Sequence, residues 1–194
     1  MTAKPTKRTQ SDRAEIVEEA LKLLNETSLS GLTMRVLADR VGLAAASLYW
    51  YFPNKAALIS ALSEHLFLKS LANTPPSPHW RDWMKGLGRS IWRVLLDYPD
   101  SAILIMSANI GADQFARNTA CVREALARLD LPVEQLMPLQ SGIQALMTGW
   151  STFAHASYAE WLEEMLSLEA AAFSTLDAMV DGWDPAKVQQ PSRP

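Results

Sequence analysis

Small, hydroxylated, aromatic and basic side chains are concentrated in one stretch of the chain, from Thr33 to Lys55. Three consecutive alanines are followed there by a serine and three aromatic residues: Ala44, Ala45, Ala46, Ser47, Tyr49, Trp50 and Tyr51. A solvated surface helix would normally carry lysine and glutamate at such positions. Small residues at a helix start fit the DNA major groove, with hydroxyls and aromatic edges beside the phosphates. The pattern alone also fits a two-helix corner in any helical protein.

Two short helices joined by a tight turn are predicted to position these side chains. Val36, Leu37 and Val41 have the spacing of one apolar face of the first helix. Thr33 stands where an N-cap is expected, just before that face begins. Gly42 is expected to end the helix, because glycine adopts the left-handed conformation without steric cost.

The second helix of the pair is expected to start near Ala44 and to keep Leu48 inside. Pro53 ends it, because the residue before a proline disfavours the helical conformation. A supporting helix is predicted over residues 12–27, where apolar residues recur at helical spacing. A further helix is predicted over residues 55–71.

The rest of the chain is predicted to be helical, so the expected fold class is all-α, without a convincing strand or internal repeat. The proline cluster of residues 73–78 marks the boundary between an N-terminal helix-turn-helix domain and a C-terminal helical domain. Predicted helices in the second domain cover residues 80–98, 103–108, 113–129, 133–158 and 160–182. The predicted segments are a flexible arm over 1–11, the domains over 12–71 and 79–183, and a flexible tail over 184–194.

Charge and composition set limits on the class of protein. The 194 residues are 48% hydrophobic and carry a net charge of −3. Residues 1–70 have a net charge of +2 and residues 71–194 a net charge of −5, which places the basic excess with the helix pair, as phosphate binding requires. The single cysteine, Cys121, fits a reducing cytoplasm. We expect it to be a buried small side chain, with a redox-sensing thiol as the alternative.

No membrane span or secretion signal is predicted, because the sequence has no apolar run of membrane-spanning length and no apolar core after the basic N-terminal residues. The arm with Lys4, Lys7 and Arg8 suits contact with the DNA backbone or minor groove, and a frayed terminus is the alternative. Two segments near the C-terminus, 139–158 and 161–180, are apolar on more than one face. This pattern favours a four-helix interface with a second protomer, and a thick monomeric core is the alternative.

The helix pair resembles the DNA-binding signature of the tetracycline-repressor (TetR) family. The residues that carry the resemblance are Leu32, Thr33, Arg35, Leu37, Ala38, Val41, Gly42, Leu43, Ser47, Leu48, Tyr49, Trp50, Tyr51, Phe52, Asn54, Lys55 and Leu58. The resemblance covers about Asp12 to Leu68. It implies a cytoplasmic homodimeric repressor that leaves a palindromic DNA operator when a small-molecule effector binds, with residues 55–71 linking the DNA reader to the effector domain.

Several residues of the helix pair can be given roles on DNA. A dimer would place two readers about one helical turn apart on a palindrome. Arg35 is the candidate for base readout, because a guanidinium can bond guanine O6 and N7 together. The alanines can touch thymine methyl groups, and Trp50 can touch a methyl or stack on a sugar. Phosphate contacts are assigned to Thr33, Ser47, Tyr49, Tyr51 and Lys55. Tetracycline repressors carry polar residues where this chain has Ala44 and Ala45, so their operator sequence is not transferred.

The resemblance also implies an effector pocket, with candidates Leu87, Ile91, Ile105, Asn109, Leu136, Leu139, Ile143 and Met147. Tetracycline repressors have histidines at the positions aligned with Leu71 and Ile105, and the second holds the magnesium ion of the drug. Neither position can ligate a metal here, so magnesium-tetracycline is not expected as the inducer and no cofactor or metal is predicted. The lining favours a small apolar or aromatic effector. A plain apolar core has the same composition.

Enzymatic chemistry has little support in the sequence. His65, His79 and His155 lack metal-ligand spacing, and the chain has no glycine-rich phosphate loop. Glu163 and Glu164 have the character of a solvated face. Two regulatory alternatives to a ligand-released repressor stay open: a regulator whose DNA binding strengthens with ligand, and a DNA-binding module that is independent of ligand.

Overall fold

The computed structural model describes residues 7–98 and 100–188, and for residues 7–11 it describes the backbone alone. The described residues contain α-helices and one 3-10 turn, without a strand, so the prediction of an all-α fold is confirmed. The helices are α1 (Lys7–Gly31), α2 (Met34–Arg40), α3 (Ala45–Tyr51), α4 (Lys55–Ala72), α5 (Trp80–Leu96), α6 (Ser101–Ser107), α7 (Ala112–Leu126), α8 (Val133–Ala154), α9 (Ala159–Met165) and α10 (Leu168–Asp181).

Contacts between residues divide the chain into two units. One unit comprises the residues up to Leu66 together with Asp97–Ile110, and the other comprises Phe67–Leu96 together with the residues from Gly111 onward. The division falls inside α4 rather than at the proline cluster of residues 73–78. It also groups α6 with the N-terminal residues, and Leu29 N–H donates to the Asp100 carboxylate just before α6.

The first unit is built on α1. The predicted inward stripe of this helix is buried, and its members are Ile16, Val17, Ala20, Leu21, Leu23 and Leu24. The helix begins at Lys7 rather than at residue 12, because no proline or glycine follows Pro5 before Gly31. Residues 7–11 are therefore helical and not a flexible arm, and residues 1–6 lie outside the described part of the chain. Ser28, with φ 63°, interrupts the helix near its end.

The second unit is centred on α5, α8 and α10, which pack against one another. Gly88 allows the close approach of α5 and α10, because a Cβ atom there would lie 2.5 Å from Leu176 Cδ2. The Trp92 and Phe173 rings meet edge to face between the same two helices. An Arg89–Asp177 ion pair at 2.9 Å fixes their axial register.

The C-terminal part differs from the prediction in two places. Residues 160–182 form two helices rather than one, because Leu166 is extended and Ser167 starts α10 by accepting a hydrogen bond from Ala170 N–H. Glu163 reinforces the break by accepting from Leu168 N–H at 2.9 Å. The predicted tail begins with a 3-10 turn over Pro185–Lys187, and residues 189–194 lie outside the described part.

Other predicted helices are confirmed with shifted ends. α5 stops at Leu96 rather than at residue 98, before Pro99, which lies outside the described residues. The prediction that Cys121 is buried is wrong: the residue is exposed, because the inward face of α7 is formed by Val122 and Leu126. No helix in the described ranges is long and apolar enough to cross a membrane.

Candidate nucleic-acid interface

α2 is fixed at its start by the predicted cap. Thr33 is extended, and its hydroxyl accepts a hydrogen bond from Val36 N–H at 3.2 Å. Met34, Leu37 and Ala38 form the buried face of the helix. The helix therefore enters the interface at a defined angle, with its other faces open.

The turn after α2 closes through a Schellman motif. Gly42 has a φ of +67°, its N–H donates to Asp39 O at 3.3 Å, and Leu43 N–H donates to Ala38 O at 3.0 Å. These two bonds satisfy carbonyl groups that the helix end would otherwise leave unpaired. The prediction that Gly42 ends the helix in a left-handed conformation is confirmed.

α3 is anchored by two side chains and exposes almost everything else. Leu48 within the helix and Phe52 just after it have no exposed surface. Six of the residues predicted to face DNA are exposed on this segment: Ala44, Ala45, Ala46, Ser47, Tyr49 and Trp50. A solvent-facing helix of this composition has few charges to interact with water, which is typical of a binding surface.

The aromatic residues at the end of α3 are held in different ways. Trp50 is 70% exposed and meets the Tyr51 ring edge to face at 5.1 Å. Tyr51 is half-buried, and its hydroxyl donates to Asp12 Oδ2 at 3.2 Å. Tyr51 thereby joins α3 to α1, so its hydroxyl already has a protein partner before any phosphate is bound.

The two cations predicted to contact DNA differ in their surroundings. Arg35 is exposed on the first turn of α2 and takes part in no ion pair among the described residues. Lys55 is half-buried, and its ammonium group donates to Leu29 O at 2.9 Å. Arg35 is thus available to a base edge, whereas Lys55 also helps to hold the start of α4 against the end of α1.

Arg40 is a third cation on α2, and it serves the fold. Its guanidinium donates to Glu26 Oε1 at 2.8 Å and to Glu19 Oε2 at 3.0 Å, both on α1. Hydrogen bonds to Glu26 and Glu19 raise the pKa of Arg40. The same contacts lower the pKa of Glu26 and, after a bond from Lys22, the pKa of Glu19.

Two residues near the interface have roles that the sequence reasoning missed. Val36 was expected in the core but is 42% exposed, because Met34, Leu37 and Ala38 already form the inner face of this short helix. It stands beside Arg35, where it can contact a thymine methyl group. Asn54 caps α4, since its Oδ1 accepts from Ala57 N–H at 2.8 Å. A serine, threonine, aspartate or asparagine just before an apolar helix predicts such a cap, so the sequence did contain a signal for this role.

An acidic cleft of about 670 Å³ lies on the α1 side of this unit. Four carboxylates and one ammonium group from α1 line it, together with Val41, Leu43 and Tyr51; the charged residues are Asp12, Glu15, Glu18, Glu19 and Lys22. His65 of α4 contacts one of these carboxylates, with its Nε2 at 3.0 Å from Glu18 Oε1. The negative charge of the cleft makes the surface of α2 and α3 with Arg35 the favourable one for DNA.

The predicted effector residues are divided between the two units. Six of them have at most 1% of their surface exposed, and these are Leu87, Ile91, Leu136, Leu139, Ile143 and Met147 in the second unit. Ile105 is half-buried and Asn109 is exposed, and both belong to the first unit. The six buried side chains pack against other protein atoms in this structure. No cluster of three metal-ligating side chains occurs among the described residues.

Comparisons with known proteins agree on one family. Residues 16–62 match the family model described as bacterial regulatory proteins, tetR family. The chain is 36% identical over 113 residues to the class C tetracycline repressor protein of Escherichia coli, covering 57% of this chain and 52% of that protein. The matched stretch thus spans about half the length of that curated relative.

Solved structures resemble the chain over most of its length. The structure of TetR of class A in complex with 5a,6-anhydrotetracycline and magnesium is 30% identical, covers 90% of this chain and 98% of that chain, and gives a TM-score of 0.67. The structure of TetR from Acinetobacter baumannii AYE is 25% identical, covers 92% of this chain and 96% of that chain, and gives a TM-score of 0.70.

Proposed function

The chain belongs to the tetR family of bacterial regulatory proteins, and we propose that it is a sequence-specific DNA-binding regulator of transcription. The observation that carries the proposal is the capped helix pair, which presents an exposed, nearly uncharged α3 beside the unpaired guanidinium of Arg35. Such a regulator works where the chromosome lies, in the cytoplasm. No step of the proposal needs a catalytic group, a metal or a cofactor.

The proposed contacts with DNA follow from exposure and chemistry. Arg35 reads a guanine, the small residues at the start of α3 approach thymine methyl groups, and Trp50 covers a methyl or a sugar. Hydroxyls of Thr33, Ser47 and Tyr49 bind phosphates, together with the spare donors of Lys55. Tyr51 contributes to a phosphate contact only if it gives up its bond to Asp12.

Selection of bound duplexes from a random pool tests this proposal directly. We expect an enriched palindrome with half-sites centred roughly 34–36 Å apart. Arg35→Ala should lower discrimination at one base pair by about 1–3 kcal/mol, whereas Lys55→Ala should weaken all sequences alike. Equal losses on selected and random DNA for both variants would contradict the assignment of Arg35 to base readout.

A homodimer is proposed from the outer faces of α8 and α10. Exposed small residues recur there every four positions, with Ser141, Ala145 and Gly149 on α8 and Ala170, Ser174 and Ala178 on α10. Small side chains let helices of two protomers approach closely, and four such helices would form a bundle. Sedimentation of the full chain at micromolar concentration should give a dimer, and a monomer would refute this part of the proposal.

Regulation by a small effector is proposed for the second unit. The solved structure of TetR of class A contains 5a,6-anhydrotetracycline and magnesium, and the second unit of this chain contains six of the eight predicted effector residues. A ligand can release DNA only by binding the released conformation more tightly than the DNA-bound one. The proposed direction is repression relieved by the effector. DNA binding that strengthens with ligand would reverse this direction, and indifference to ligands would remove it.

A further inference from the structure

The hydroxyl proton of Tyr51 is already used in a hydrogen bond within the protein. The hydroxyl donates to Asp12 Oδ2 at 3.2 Å. A phenol has one proton to donate, and a phosphate oxygen only accepts, so the same proton cannot serve both. Tyr51 also lines the acidic cleft, whose carboxylates come from α1. Because such a surface repels a DNA phosphate, this arrangement favours a role for the hydroxyl inside the protein.

The ring of Tyr51 supports the indole of Trp50. The two rings meet edge to face, with centroids 5.1 Å apart and an angle of 89° between their planes, which is a favourable geometry for aromatic pairs. Adjacent residues of a helix point in different directions, so this contact requires both side chains to lean toward each other. Trp50 is 70% exposed. Protein contacts therefore constrain its indole on few sides, and the Tyr51 ring is one of them.

A second contact joins α1 to the end of α3 beside the first. Arg13 follows Asp12 on α1, and its guanidinium carbon lies 4.9 Å from the centroid of the Phe52 ring. Phe52 follows Tyr51 and has no exposed surface. The end of α3 thus stays attached to α1 when the Tyr51 hydroxyl loses its partner. The loss of that bond changes the orientation of the Tyr51 ring and of the side chain that packs on it.

We propose that Asp12 is a positioning residue for DNA recognition, a role that rests on the sequence-specific DNA binding proposed above. The Asp12 carboxylate holds the Tyr51 hydroxyl, the Tyr51 ring orients the indole of Trp50, and the indole meets the operator. Asp12 itself does not contact DNA. The Tyr51 hydroxyl keeps its bond to Asp12 in the complex, so it is not a phosphate ligand.

Asp12→Asn and Asp12→Ala separate the hydrogen-bond acceptor from the charge. Both remove the carboxylate charge, but only asparagine retains an oxygen that can accept from the Tyr51 hydroxyl. On the duplex that the wild type selects, Asp12→Ala should bind roughly fivefold more weakly than Asp12→Asn, which corresponds to one typical hydrogen bond. A general effect on the stability of α1 would act in the other direction, because alanine is the better helix former. Equal affinities of the two variants would overturn the proposal.

The next measurement determines whether the effect passes through Trp50. Trp50→Ala is combined with each of the two Asp12 variants, and the double variants are titrated with the same duplex. The difference in affinity between them should disappear, because the side chain that Asp12 positions is gone. If Asp12→Ala still bound more weakly than Asp12→Asn without the indole, Asp12 would act by another route and the proposal would be wrong.

Tyr51→Phe tests the role of the hydroxyl, since it removes that group and keeps the ring. Combined with Asp12→Ala, it should cause no further loss of binding to the selected duplex or to random DNA, because the hydroxyl has already lost its partner. A phosphate ligand would behave differently. Its removal would weaken binding to both DNAs in the Asp12→Ala protein, where the hydroxyl is released from α1, and that result would refute the proposal.

Failure of this role for Asp12 can be told apart from failure of the proposed function. If the wild type enriches a palindrome from the random pool and the two Asp12 variants bind it equally, the DNA-binding regulator stands and the role of Asp12 is refuted. If the wild type enriches no sequence, both are refuted together.

Discussion

α3 and α8 use their side chains in opposite ways. α3 buries only Leu48 of its seven residues, and its remaining surface carries small and aromatic groups. α8 buries seven side chains of its 22 residues, and three of these, Gln140, Thr148 and Ser151, are polar. The position of α3 thus depends on very few anchors, whereas α8 is held along its length and includes polar groups that an apolar core would not need. The side chains proposed to meet DNA are exposed on α3, whereas these three polar side chains of α8 are buried.

Removing the buried anchor of α3, Leu48, is expected to have the largest effect on the difference between the two helices. Leu48→Ala should destabilise the protein by about 2–5 kcal/mol, because a fully buried leucine is lost and a cavity remains. DNA binding should be lost with it, since α3 no longer has a fixed position. Chemical denaturation and DNA titration measure the two effects.

Trp50→Ala is the matched control on the same helix. Trp50 is 70% exposed, so its loss should change stability by no more than about 0.5 kcal/mol while it still weakens DNA binding. If Trp50→Ala destabilised the protein as much as Leu48→Ala, the division of α3 into one anchor and a recognition surface would be wrong.

The helix pair was predictable because its signals are local. Thr33 and Gly42 act on backbone groups within a few residues, and the chemistry of an N-cap or a left-handed glycine does not depend on the rest of the fold. Leu48 was predictable from spacing alone. The exposure of Val36 was not, because a helix of seven residues has room for only one inner face, and the sequence does not say which apolar residues form it.

Features that depend on distant partners were not predicted. Arg40 is paired with two glutamates of α1, so sequence reasoning had no means of assigning it a role in the fold. The division of residues 160–182 into α9 and α10 follows from a serine cap and a glutamate contact inside an apolar pattern that continues across it. On α8, the apolar pattern gave no sign that Gln140, Thr148 and Ser151 would be buried with it. The contacts predicted with DNA and with an effector stay predictions.

The tight packing of the second unit can be tested at Gly88. Gly88→Ala should destabilise the protein by about 1–3 kcal/mol, because the added Cβ would lie 2.5 Å from Leu176 Cδ2 and Leu176 is fully buried. Gly142→Ala on α8 is the control, since a Cβ there would make only ordinary contact, with Met179 Sδ at 3.6 Å. It should stabilise the helix by up to about 1 kcal/mol. Thermal unfolding of both variants measures the difference, and a neutral Gly88→Ala would show that α5 and α10 can separate freely.

The turn before α3 should show a smaller effect of a different origin. Gly42→Ala meets no atom within 4 Å but retains a φ of +67°, so we expect a loss of about 1–2 kcal/mol from backbone strain alone. Gly111→Ala is the control, because its φ of −72° suits any residue and its surroundings are also open. Denaturant titration should separate the two, and equal stability of both variants would mean that the Schellman turn relaxes without cost.

The smallest expected effect concerns the ion pairs of Arg40, which hold α2 to α1 at the surface. Because the pKa values of Glu19 and Glu26 are lowered in the folded protein, their contribution to stability is complete above the ordinary glutamate pKa of about 4.3. It is lost as the pH falls through the lowered values. Arg40→Met should therefore be less stable than the wild type at neutral pH, and the gap should close in acid. Arg35→Met, which breaks no ion pair among the described residues, should show no such pH dependence in thermal unfolding. A gap for Arg40→Met that persisted below those pKa values would instead indicate that the stem of Arg40 contributes by packing.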